Sequence, residues 1–87
     1  MTPSAAAAAE QARLDLMADY LGCLEKLSAR ELEVLVLTSK GLSCAEIGEQ
    51  ISLSGFGVND VRRRIFAKLG VHTAVEAAVI AAKAGVV

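Results

Sequence analysis

Arg62, Arg63, Arg64 and Lys68 place four cations within seven residues, with Asn59 and Asp60 just before them. Guanidinium forks and an ammonium at such spacing suit phosphates and other dense anions, and Arg and Asn side chains also form paired hydrogen bonds with planar polar groups. Asp60 is the only acid between residues 54 and 72, so this stretch carries a local +3 in an 87-residue chain whose net charge is −1. Attraction to a polyanion must therefore come from this segment and not from bulk charge. A plainer use of the same residues is a solvated helix face on which Arg62, Arg63 and Arg64 pair with Glu46, Glu49 or Asp60.

Other chemistries find little support. Cys23 and Cys44 form no CxxC pair and His72 is the single histidine, so no metal ligand set is expected. Cys44 falls in the first turn of an expected helix, an address that suits redox sensing, although a small packing residue in a reducing compartment is the commoner case. No nucleophile and base pair, carboxylate dyad or Gly-rich phosphate loop stands out, so neither an enzyme nor a cofactor is expected. The chain is 54% apolar and only 3% aromatic, and no apolar run approaches the ~18 residues of a membrane span. The MTPSAAAAA start lacks the charged and Leu-rich regions of a secretory signal, which points to a soluble cytoplasmic protein.

The elements that position the cations follow from helix punctuation. Ser28/Glu31, Ser43/Glu46 and Thr73/Glu76 repeat a hydroxyl followed three residues later by Glu, the capping-box signature of a helix start. Gly41, Gly70 and Gly85 stand where helices should stop. These marks predict helices over 29–40, 44–51, 55–69 and 74–84, and no strand pattern appears. The fold class expected is all-α. A further helix can be followed back from Lys26 to about Ala6, with residues 10–26 as its amphipathic docking part and residues 1–9 as a disordered Ala-rich tail. Leu14, Leu16, Met17, Tyr20, Leu21, Cys23 and Leu24 cover an arc of about 180° on it, wide enough for two neighbours.

The helices over 44–51 and 55–69, separated by Ser52–Ser54, have the spacing of a helix-turn-helix. Ala45, Ile47, Gly48 and Ile51 are expected to pack inward from the first, and Val58, Val61, Ile65 and Leu69 from the second. Asn59, Asp60, Arg63, Arg64 and Ala67 then face outward. In DNA-binding members of this architecture, that side of the second helix enters the major groove.

The run LSARELEVLVLTSKGLSCAEIGEQISLS, continued by VNDVRRRIFAKLGVHTAVEAAVIAAKAGVV, closely resembles the LuxR-type (GerE-like) DNA-binding domain of bacterial transcription regulators. Arg30-Glu31, Glu33-Val34-Leu35, Gly41, Ser43, Glu46-Ile47, Ser54, Val58, Ile65 and Lys68-Leu69-Gly70-Val71 fall in register with it, and the resemblance covers residues 27–87. It implies a four-helix domain, a recognition helix in third position, dimerisation through the last helix and binding to inverted-repeat promoter sites in double-stranded DNA. By the same resemblance, Asn59, Asp60 and Arg63 occupy base-contact positions, and Arg62, Arg64 and Lys68 would meet phosphates.

The departures are equally specific. Gly57-Val58-Asn59-Asp60-Val61 replaces the family's Thr-Val-Lys-x-His, and Cys44-Ala45 replaces its Asn-Lys. Gly55 and Gly57 are expected to leave the first recognition turn irregular, and three or four phosphate contacts per subunit would give modest, salt-sensitive affinity. Leu32 and Val36 stand where the family is usually polar, so residues 10–26 are expected to dock there, in place of the receiver or ligand-sensing domain of many family members. The Ala-rich last helix, with Val75, Ala78, Val79 and Ala82, is expected to form a homodimer. The reading is a stand-alone LuxR-type transcription regulator. Its alternative is an anti-activator or adaptor that has lost DNA reading and captures a related LuxR-type regulator as a heterodimer.

Overall fold

A computed structural model describes residues 4–87, which form five helices and no strand. They are α1 (Ala5–Leu24), α2 (Ala29–Ser39), α3 (Cys44–Ile51), α4 (Gly55–Leu69) and α5 (Ala74–Lys83). Three of the four helices expected after residue 27 begin where the capping residues put them, and α4 begins at Gly55 as its spacing suggested. Ser28 and Ser43 form complete capping boxes: each hydroxyl accepts the N3 amide, and Glu31 or Glu46 reaches back to the cap amide. At α5 the box is altered. Thr73 accepts from the Glu76 amide, but Glu76 accepts from the His72 N–H at 3.3 Å. Thr73 is more extended (φ −133°) than the other caps, so the amide before it meets the carboxylate.

Part of the expected N-terminal tail is helical. Ser4 caps α1 by accepting from the Ala7 amide at 3.2 Å, and the alanines that follow have the highest intrinsic helix propensity, so the helix starts at Ala5, one residue before the expected start near Ala6. Residues 1–3 of that expected tail lie outside the described residues. At its other end α1 stops at Leu24, two residues short of Lys26.

The core joins Leu24, Val34, Leu35, Ile47, Ile51, Val58, Val61 and Ile65 to Ala77, Ala81 and Ala84. α3 packs on α4, and α2 lies against both α4 and α5. Small residues line the inner face of α5, letting its backbone come close to α2. Ala45, expected inward, is exposed, because the buried stripe of α3 runs through Ile47, Gly48 and Ile51.

α1 docks on α5, not on Leu32 and Val36. The Lys83 ammonium sits 5.4 Å from the centre of the Tyr20 ring, and Met17 reaches the turn at Gly85. Leu32 and Val36 are half-buried and border a shallow open groove with Ala29, Glu33 and Leu37, all from α2. Met17 and Tyr20 of α1 border a cleft with Ala82 and Lys83, where the small side chain of Ala82 leaves room for them. Residues 4–16 are exposed throughout, so the first half of α1 projects from a molecule measuring 57 × 20 × 20 Å. Among the described residues, no single helix is long and apolar enough to cross a membrane.

Candidate nucleic-acid interface

The junction between α3 and α4 is tight for identifiable reasons. Ser52 adopts a left-handed conformation (φ 57°, ψ 45°), and the Leu53 N–H donates to the Gly48 carbonyl at 2.9 Å. Gly48 lies so close to Leu53 that a Cβ there would strike its carbonyl oxygen well inside van der Waals contact. The Leu53 side chain in turn rests over Gly57, where a Cβ would meet Leu53 Cγ at 2.9 Å. Gly57 thus admits a packing residue. The first turn of α4 is regular from Gly55, with Ser54 accepting from the Gly57 amide at 3.0 Å, contrary to the irregular start expected of two glycines.

Two of the four cations are engaged within the fold. Arg62 donates from Nη1 to Cys44 Sγ at 3.0 Å and places its guanidinium 5.7 Å from the Phe66 ring centre, while its Nε is buried without a partner. Arg62 therefore fills the seam between α3 and α4. Lys68 donates to Glu31 Oε1 at 2.6 Å. Glu31 is only 5% exposed and also accepts from the Ser28 amide. The Lys68 and Ser28 hydrogen bonds overcome desolvation and hold the Glu31 carboxyl at a pKa of about 2, against the ordinary 4.5. Glu46 is lowered too, by the Ser43 amide and hydroxyl, without a comparable lysine. Sequence reasoning placed Arg62 and Lys68 on phosphates because it counted charge and had no means of locating a buried acid from a distant helix.

Arg63 and Arg64 are exposed, and neither forms a salt bridge among the described residues. The pairing considered for Arg62, Arg63 and Arg64 with Glu46, Glu49 or Asp60 is absent among those residues. Asp60 is exposed on the same side, and Asn59 is half-buried beside Cys44, Ala45 and Gly55. The same face presents a residue not expected there: Phe56 is 88% exposed in the first turn of α4. Helical spacing from Asp60 and Ala67 was the available signal.

On α5, Val75 and Val79 are 73% and 44% exposed. Ala78 is half-buried, and Ala82 borders the cleft where Arg13, Leu16, Met17 and Tyr20 of α1 meet Lys83. Part of the face expected to pair with a second copy is therefore shared with α1.

Two short helices joined by a three-residue turn, the second presenting unpaired arginines on its outward side, define a helix-turn-helix domain. Residues 25–81 match the bacterial regulatory proteins of the luxR family, and the chain belongs to that family. It is 42% identical over 59 residues to the response regulator UvrY of Escherichia coli, covering 68% of this chain and 27% of that protein. It is 44% identical over 50 residues to the fimbriae Z protein of Salmonella typhimurium, covering 58% of this chain and 24% of that protein. The chain thus spans about a quarter of the length of these curated relatives. No solved structure matched it.

Proposed function

We propose that the chain regulates transcription by binding duplex DNA through the outward face of α4, as a dimer paired through Val75, Ala78, Val79 and Ala82 on α5. The observation that carries this reading is the outward face of a helix-turn-helix in a luxR-family domain, where Arg63 and Arg64 are exposed and form no salt bridge among the described residues. Arg63 is placed for base edges and Arg64 for the phosphate backbone, with Asn59 and Asp60 beside them. Arg62 and Lys68, engaged internally, support these helices without touching DNA. The phosphate contacts are correspondingly fewer than the charge count implies. Exposed Val75 and Val79 supply an apolar patch for a second protomer, which would bring two α4 helices to the two halves of an inverted repeat.

A mobility-shift titration on duplexes enriched from genomic DNA tests the proposal. Two exposed arginines per protomer predict a dimer whose log affinity falls with log salt at a slope of about −2 to −4, and Arg63→Ala should abolish the selected shift. Absence of any shift at low salt refutes it. The second reading, capture of a related regulator through α5, draws support from the inward use of Arg62 and Lys68. Co-purification of another helix-turn-helix protein, lost on Val79→Asp, together with no DNA shift, would favour it.

A further inference from the structure

Phe56 is more exposed than any other large apolar side chain among the described residues. With Gly55 and Gly57 on either side, the ring has no side-chain neighbour next to it in sequence. At about 100° per residue, Phe56, Asp60 and Ala67 run along the centre of the outward face, opposite Val58, Ile65 and Leu69. Arg63 lies beside that line, about 20° from Phe56, and Arg64 stands on its flank, about 80° from Phe56. The Arg64 flank therefore suits phosphates, whereas a phenyl ring and a carboxylate on the centre line do not.

This arrangement orients the helix. With Arg64 reaching toward a sugar-phosphate wall and Arg63 at base edges, the centre line meets the floor of the major groove. Base edges there offer a single apolar group, the C5-methyl of thymine, and amino donors on cytosine and adenine. Phe56 borders a shallow recess formed with Cys44, Ala45, Gly55 and Asn59, so a methyl group against the ring would be enclosed by small and neutral side chains.

We infer that Phe56 is a specificity residue that reads a thymine methyl group in each half-site. The inference rests on the DNA-binding reading above. Asp60 lies about 6 Å further along the helix, the rise of four residues, and base pairs stack about 3.4 Å apart. The thymine therefore stands about two base pairs from an amino group donating a hydrogen bond to Asp60.

The test uses the full chain and a pool of random duplexes enriched by binding. Thymines of the enriched site are then replaced one at a time by deoxyuridine, which removes the methyl and keeps the base-pairing edge. One position per half-site should weaken binding about fourfold, the worth of one buried methyl-sized group, and both together about fifteenfold. In Phe56→Ala, whose helical content should match the parent because the ring is exposed, that difference should vanish. Enriched sites indifferent to every deoxyuridine, or an equal penalty in Phe56→Ala, overturn the role of Phe56 while leaving DNA binding intact. A pool that enriches no sequence and gives no shift at low salt overturns both.

Discussion

Gly22 and Gly48 both lie inside helices, yet replacing each by alanine should move stability in opposite directions. Gly22 sits in α1 with open space where a Cβ would point. Gly22→Ala therefore recovers helix propensity alone, about 0.5–1 kcal/mol. Gly48→Ala gains the same increment, but its Cβ would meet the Leu53 carbonyl oxygen, a backbone atom that cannot swing away as a side-chain end would. Overpacking of this kind costs about 1–3 kcal/mol, and a rigid carbonyl places it at the upper end. Displacing Leu53 also strains its 2.9 Å hydrogen bond to the Gly48 carbonyl, worth about 1 kcal/mol. The net expectation is a loss of about 2–3 kcal/mol. For a domain of this size that lowers the melting temperature by about 10–20 °C, against a rise of about 3–8 °C for Gly22→Ala. Thermal melts followed by far-UV circular dichroism at one protein concentration measure both. A Gly48→Ala protein that melts at or above the parent would refute the close approach of α3 to the turn.

Other substitutions separate structural from binding roles. Lys68→Ala should cost about 1–2 kcal/mol near neutrality, discounted because the lysine side chain is half exposed. Because the Glu31 pKa is lowered in the fold, this stabilisation is fully present above the unfolded value near 4.5 and is lost as pH falls toward about 2. Urea titrations of parent and variant should therefore converge in acid, and a penalty that persists unchanged there would contradict the pairing. Arg62→Ala should lower the urea midpoint by removing the side chain that fills the α3–α4 seam, whereas Arg64→Ala should leave it within about 0.5 kcal/mol. Arg64→Ala should also make the salt slope of DNA binding shallower by about 0.9 for each phosphate it no longer neutralises. Ser52→Gly relieves a left-handed non-glycine residue and should raise the melting temperature, by about 4–8 °C for each kcal/mol recovered. Val79→Asp should shift a sedimentation profile to monomer with the helical content retained, and a dimer surviving this change would rule out pairing through α5.

Helix starts were legible because caps are local chemistry: Ser28, Ser43 and Thr73 each bind an amide three residues on, and no distant partner is needed to place them. The helix-turn-helix was legible for the same reason, since Ile47, Ile51, Val58, Val61 and Ile65 repeat at helical spacing. The partner of α1 was not. Its apolar arc was visible, but choosing between the Leu32–Val36 face and the Ala-rich α5 depends on shape, and the narrower α5 accepted Met17 and Tyr20. The site was half legible. Arg63 and Arg64 face outward as their positions required, while Arg62 and Lys68 were claimed by Cys44 and Glu31, 18 and 37 residues away along the chain. Such pairings leave no periodic trace. Phe56 passed unnoticed because an aromatic residue in a small protein is expected to be buried.

The internal pairing of Arg62 and Lys68 bears on how such a protein would find its site. Affinity for arbitrary DNA comes almost wholly from phosphate contacts and rises steeply with each one. A face with two free cations per protomer would be held only briefly by random sequence, so the search would proceed by repeated release and three-dimensional diffusion more than by sliding along one molecule. Little of the protein would be sequestered by the genome's excess of nonspecific sites, and promoter occupancy would track the base contacts and the concentration of dimer.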